Sequence, residues 1–121
     1  MKKTVLNSKL HRIKVTEAKL NYTGSITIDQ DILDYARIHV NEKVQVVNLN
    51  NGSRFETYVI SGKRSSKTVC LNGAAARLVE PGDEVIVMSF VSMDVEKIED
   101  WEPGIVFFDD DNNILKEKSI I

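Results

Sequence analysis

Ala36-Arg37-Ile38 is followed by Val44-Gln45-Val46, and Ala76-Arg77-Leu78 is followed by Val85-Ile86-Val87. The two passages run in the same order, a short helix, a polar turn and a strand, offset by 40 residues at the helix and 41 at the strand. An echo of this kind predicts a small barrel with approximate internal two-fold symmetry.

The surrounding sequence reads as mainly β. Val44–Leu49, Phe55–Ile60 and Glu84–Phe90 alternate and are rich in β-branched or aromatic residues, which favours strands with one buried face. Asn50-Asn51-Gly52-Ser53 between the first two predicts a hairpin turn, because Asn-Gly tolerates positive φ. Gly104–Phe108 and Ile114-Leu115-Lys116 flank the acidic run Asp109-Asp110-Asp111 as a second hairpin, with that run as a solvated turn. Helices are few and short. Asp29 caps one through Ile32, Leu33 and Ala36. Gly73–Leu78 forms another, stopped by Pro81-Gly82-Asp83, and a third lies near Asp94–Asp100.

At 121 residues with 42% hydrophobic content, one domain is expected. Such a chain buries about 65% of its unfolded surface, so assembly would add burial. Sixteen basic and 18 acidic residues give no basic footprint for nucleic acid and no polybasic membrane patch. No apolar run approaches the ~20 residues needed to span a bilayer. The N-terminus lacks a signal-peptide pattern, and the expected location is the cytoplasm. The single cysteine, Cys70, reads as a buried strand thiol. Cys70, His11 and His39 show no zinc-ligand spacing.

The usual catalytic motifs are missing: there is no G-x-S-x-G elbow and no phosphate-binding loop. Gly24-Ser25 offers a different chemistry. A serine hydroxyl can attack the preceding carbonyl if the backbone bends, and glycine permits the bend. The amide becomes an ester, with an oxyanion that Thr57 could meet. β-Elimination then leaves dehydroalanine at position 25, which hydrolyses to a pyruvoyl group. Taken alone, Gly24-Ser25 is an ordinary turn before Ile26-Thr27-Ile28.

Its company changes that reading. Lys9-Leu10-His11-Arg12, Tyr22-Thr23-Gly24-Ser25-Ile26-Thr27-Ile28-Asp29, Asn51-Gly52-Ser53-Arg54-Phe55-Glu56-Thr57-Tyr58 and Leu71-Asn72-Gly73-Ala74-Ala75-Ala76 stand in this order. Together they resemble the aspartate 1-decarboxylase family, the bacterial pyruvoyl enzymes that supply β-alanine for pantothenate. The resemblance runs from about Lys3 to Phe90 and more loosely to Asn113. It implies a double-psi β-barrel with a few short helices. It also implies self-cleavage into residues 1–24 (a β chain) and 25–121 (an α chain beginning with pyruvoyl), and a homotetramer with active sites between subunits.

The roles implied by the resemblance are specific. Ser25 becomes the pyruvoyl group and forms a Schiff base with L-aspartate. Tyr58 returns a proton to the α-carbon, and a phenol of pKa ~10 is protonated for that task. Thr57 serves the cleavage oxyanion and touches substrate. Arg54, suited to bidentate grip, and Lys9 bind carboxylates, and Asn72, Gly73, Ala74 and Ala75 form a floor. His11 and Tyr22 support the cleavage loop. Neither a metal nor pyridoxal phosphate is expected, and a maturation helper protein is compatible with the scheme. In a period-2 strand Thr57 and Tyr58 point to opposite faces, so they serve one site only through different subunits or a distorted strand. One departure stands out: Ser65 occupies a position where relatives tend to carry glycine. The competing readings are a non-enzymatic barrel that binds a ligand, since this fold hosts many functions, and a processing-deficient homologue.

Overall fold

The computed structural model describes residues 1–121. Its strands are β1 (Lys2–Lys14), β2 (Glu17–Lys19), β3 (Ser25–Asp29), β4 (Lys43–Asn48), β5 (Arg54–Gly62), β6 (Val69–Asn72), β7 (Glu84–Asp94) and β8 (Gly104–Phe107). Helix α1 spans Gln30–Ala36, α2 spans Val95–Ile98, and a 3-10 helix covers Gly73–Leu78. The strands expected at Val44–Leu49, Phe55–Ile60, Glu84–Phe90 and Gly104–Phe108 and the three short helices are present. Ile114-Leu115-Lys116 is no return strand: only Ile114 bridges Phe108, because the chain turns at once through Lys116–Lys118. The long β1 and the short β2 are the elements the sequence pattern did not reveal.

The pairings close on themselves. β1 pairs with β7, β7 with β4 and β4 with β5, all antiparallel. β5 runs parallel to β3, β3 antiparallel to β6, and β6 parallel to β2. β2 continues β1 beyond Val15 and Thr16, and the Thr16 N–H donates to the Val69 carbonyl at 2.8 Å. The ring is complete, which removes open sheet edges. The β1–β2 segment bears the same relation to β7 and β6 that β5 bears to β4 and β3, one antiparallel and one parallel. The pairs β3–β6 and β4–β7 lie on the two-fold that relates the halves. This is the double-psi β-barrel that the family resemblance implies, carrying the two-fold that the repeat predicts, with β8 added parallel to β1.

One face of each strand fills the interior. Ile26, Ile28, Val44, Val46, Val59, Val69, Leu71, Val85 and Val87 are fully or almost fully buried, joined by Ile32, Leu33 and Ala36 of α1. The short barrel is thus packed with β-branched side chains that suit a pleated surface.

Asp29 ties the barrel to its loops. It is fully buried at the α1 N-cap. Its Oδ1 accepts from the Asp31 N–H at 2.8 Å and the Ser65 N–H at 3.2 Å, and its Oδ2 accepts from the Lys67 N–H at 2.9 Å. Ser65 and Lys67 both adopt left-handed φ, 64° and 59°. At Ser65 a glycine would sit without strain. Here the hydroxyl compensates by donating to Asp31 Oδ2 at 3.0 Å. The acidic turn is also more than solvated: Asn112 is buried, and its amide bonds the Lys14 backbone and the Lys67 carbonyl.

Asp29→Ala removes the cap and strands the two loop N–H groups. A loss of about 3 kcal/mol is expected, measurable by urea denaturation. A loss below ~1 kcal/mol would show that the carboxylate is not what holds the loop.

Candidate active site

Ser25 opens β3, and its hydroxyl is buried, with 1% of the residue exposed. Gly24, one residue earlier, is exposed. The site thus lies where the chain passes from an open loop into the sheet. Ser25 pairs directly with Asn72 at the end of β6. Asn72 Nδ2 donates to Ser25 Oγ and to Thr27 Oγ1, both at 2.9 Å. Because that side chain is committed to β3, it makes no capping bond to the 3-10 helix that follows. The helix has only six residues, and it begins at the Gly73 turn.

Gly73 explains the glycine there. Its φ is +69°, and a Cβ would lie 2.8 Å from Gly24 Cα, 2.9 Å from Gly24 N and 2.9 Å from the Tyr22 carbonyl oxygen. All three are backbone atoms, so the Gly73 turn packs against the Tyr22–Gly24 segment with no room for a methyl group. Ala74 is exposed and Ala75 half-buried. Of the stretch from Asn72 to Ala75, Gly73 is the residue that lies against the Gly24 backbone. The Tyr22 side chain is 56% exposed, with Lys19 Nζ 5.9 Å from its ring centre.

Register places the β5 residues. Ile26 pairs with Val59. Carrying that parallel register back sets Tyr58 level with Ser25 and Thr57 level with Gly24. Thr57 shares the inner face with Val59, and Tyr58 shares the outer face with Arg54. The strand is undistorted against β4, where Thr57 pairs with Val44 and Tyr58 with Lys43. Tyr58 is 40% exposed. Arg54 is exposed, and its Nη1 donates to Gln45 Oε1 at 2.8 Å. Its partner is a neutral amide, which leaves the guanidinium charge uncompensated.

Lys9 and His11 lie elsewhere. Lys9 pairs with Met88 of β7 and Ile105 of β8. Around the sheet that is four strand steps of ~4.8 Å from β3. The other way, it lies ten residues before Lys19, the β2 residue level with Asn72. The protomer therefore does not bring Lys9 to Ser25. His11 packs edge-on against Phe107 at 5.3 Å, and its Nδ1 is buried without a partner. Burial, reinforced by Lys9 and Arg12, lowers its pKa and keeps the ring neutral at pH 7.

The protomer has two concavities. One is bordered by Leu33, Asp34, Arg37 and His39, the other by Tyr35, Lys67, Ile114 and Lys116. Neither contains Ser25, Tyr58, Arg54 or Lys9. No group of three or more His, Cys, Asp or Glu side chains gathers in metal-binding geometry, and no helix is long and apolar enough to cross a membrane.

Two residues at the site escaped the sequence pattern. Thr27 shares Asn72 with Ser25, and the Cys70 thiol donates to Asn72 Oδ1 at 3.3 Å. Period-2 alternation already puts Ser25 with Thr27 and Cys70 with Asn72. What alternation does not contain is that β3 and β6 are neighbours.

The profile of the family described as aspartate decarboxylase matches residues 1–115. The aspartate 1-decarboxylase of Caldicellulosiruptor saccharolyticus is 61% identical over 112 residues, covering 93% of this chain and 88% of that protein. The aspartate 1-decarboxylase of Neisseria meningitidis is 60% identical over 114 residues, covering 94% and 90%. Among solved structures, the computationally designed msDPBB_sym2 protein aligns with a TM-score of 0.48 at 15% identity, over 72% of this chain and 99% of that one. With the profile matching nearly end to end and relatives this similar over most of their own length, the chain belongs to the aspartate decarboxylase family.

Proposed function

We propose that this chain cuts itself between Gly24 and Ser25 and then decarboxylates L-aspartate to β-alanine and carbon dioxide, feeding pantothenate biosynthesis. The observation that carries the reading is the buried Ser25 hydroxyl, fixed by Asn72 at the edge of an exposed glycine, in a member of this family.

Maturation follows from the local chemistry. Ser25 Oγ bonds to the Gly24 carbonyl carbon, the Gly24–Ser25 C–N bond breaks, and the hydroxyl proton passes to the freed amine. Thr57, level with Gly24 by register, supports the oxyanion. Because it points to the face opposite Tyr58 on an undistorted strand, the two serve one working site only through different subunits. Loss of the Ser25 α-proton with cleavage of the Cβ–O bond releases residues 1–24 as a carboxylate and leaves dehydroalanine. Water then replaces the nitrogen, releasing ammonia and leaving pyruvoyl at residue 25. The surroundings fit such a group: residue 25 is shut away from water, and Asn72 beside it offers an N–H donor.

Once formed, the pyruvoyl group supplies a reactive ketone and an electron sink for loss of a carboxylate. The protein supplies the rest. Arg54, whose charge has no anionic partner, grips a substrate carboxylate bidentately. Tyr58, on the same outer face as Ser25, holds a phenolic proton for the α-carbon. Lys9 adds a point charge from another subunit, because its own protomer keeps it apart from Ser25. We therefore read the working form as a homotetramer with the active site completed between subunits. Gly73, Ala74 and Ala75 let substrate approach the backbone closely, while His11 and Tyr22 act in support.

Intact mass of the purified chain tests the proposal. It should show residues 1–24 and 25–121 as separate species, with aspartate-dependent release of carbon dioxide. Ser25→Ala should abolish both. A wild-type chain that stays whole and releases no carbon dioxide would sink the reading.

Gly73→Ala should slow cleavage at least ~10-fold in a folded protein, since its methyl would displace the Gly24 backbone. Cleavage at the wild-type rate would mean the close approach is not needed.

Thr57→Val and Tyr58→Phe should separate the two stages. The first impairs cleavage. The second cleaves normally but loses about 100-fold or more in kcat, the usual worth of a general acid. Normal turnover by Tyr58→Phe would remove that residue from the proton transfer.

A further inference from the structure

The outer face of the β3–β6 pair carries four polar side chains. Ser25 pairs with Asn72 and Thr27 with Cys70, so all four project to one side. On the other side Ile26, Ile28, Val69 and Leu71 are all fully buried. Three of the polar four are shut away from water: Ser25 and Asn72 are 1% exposed and Cys70 is 3%.

We infer that Cys70 is a positioning residue for self-cleavage, its thiol holding the Asn72 amide with the NH2 end toward Ser25 Oγ. This rests on Gly24–Ser25 being the maturation site.

An asparagine amide has two nearly isosteric orientations. In the observed one Nδ2 faces two hydroxyl oxygens and Oδ1 faces the thiol. Turned by 180°, Oδ1 would face Ser25 and Thr27, and both hydroxyls could donate to it. The hydroxyls satisfy either arrangement, so they do not choose between them. The thiol does. S–H is a donor and sulfur a poor acceptor, so Cys70 favours the amide oxygen over the amide nitrogen. Burial, aided by Glu17, raises the Cys70 pKa, which keeps the S–H proton in place at neutral pH.

The choice matters for the reaction. With Nδ2 donating, Ser25 Oγ is an acceptor, its own proton is free to leave, and charge that develops on oxygen meets an N–H. In the reversed orientation Ser25 would spend its proton on Asn72 Oδ1, and developing charge would face a carbonyl oxygen. The thiol therefore acts on Ser25 through the amide without touching the scissile bond.

The test compares cleavage rates of the full chain, followed by intact mass, in Cys70→Val, Cys70→Thr and Cys70→Ser. Valine and threonine have nearly the same shape and differ in one donor. Cys70→Val should cleave about 5-fold more slowly than wild type, the worth of one net hydrogen bond. Cys70→Thr and Cys70→Ser should cleave within about 2-fold of wild type by the same reasoning. Thermal melting is measured in parallel, because a purely structural role would make cleavage follow stability, with Cys70→Val the least disturbed. Wild-type cleavage in folded Cys70→Val, or cleavage as slow in folded Cys70→Thr and Cys70→Ser as in Cys70→Val, overturns the inference while leaving Ser25 as the maturation site. A wild-type chain that never splits overturns both.

Discussion

The antiparallel pairing of β3 with β6 is the contact on which the rest of the molecule depends. It lies on the two-fold of the barrel, joins the halves, and sets Ser25 directly opposite Asn72. Its register is fixed by the inner face. Burying Ile26, Ile28, Val69 and Leu71 is worth roughly 1.5–3 kcal/mol each, whereas each outer-face hydrogen bond contributes about 1 kcal/mol. A slip of one residue would drive Ser25, Thr27, Cys70 and Asn72 into the core. The apolar side therefore holds the polar side in place, and the chemistry is carried on a register it does not have to stabilise.

Barrel closure has a second consequence. Once β1 wraps through Val15 and Thr16 to meet β6, outward-facing residues on different strands are spread around a small cylinder. Tyr58 and Ser25 stay together because their strands are adjacent and in step. Lys9 does not join them. Arg54 and Lys9, the two cations proposed for the site, therefore do not meet within one protomer. The two concavities of the protomer contain none of these residues.

Several elements are legible in the sequence alone. The helix at Gly73–Leu78, the Asp29 cap and the β4, β5 and β7 strands follow from local periodicity and capping chemistry. β1 is not legible, although it has 13 residues. Its pairing with β7 shifts register between Leu6 and Ser8 and again between Leu10 and Ile13, and Arg12 adopts φ 62°. Each irregularity resets the alternation, so no clean period-2 pattern survives. The buried role of Asn112 is hidden for another reason: an asparagine after three aspartates looks like any solvated turn until Lys14 and Lys67 come within reach.

By itself the sequence determined the fold class, the family through four ordered motifs, and which residues to propose for the site. These depend on local pattern and order along the chain, which the sequence contains directly. The tertiary structure alone decided that Cys70 and Thr27 share one amide with Ser25, that Gly73 has no space for a methyl group beside Gly24, and that Lys9 stands apart. Each of those is a relation between segments far apart in sequence. They become neighbours, or fail to, only when the barrel closes and fixes which strand lies beside which.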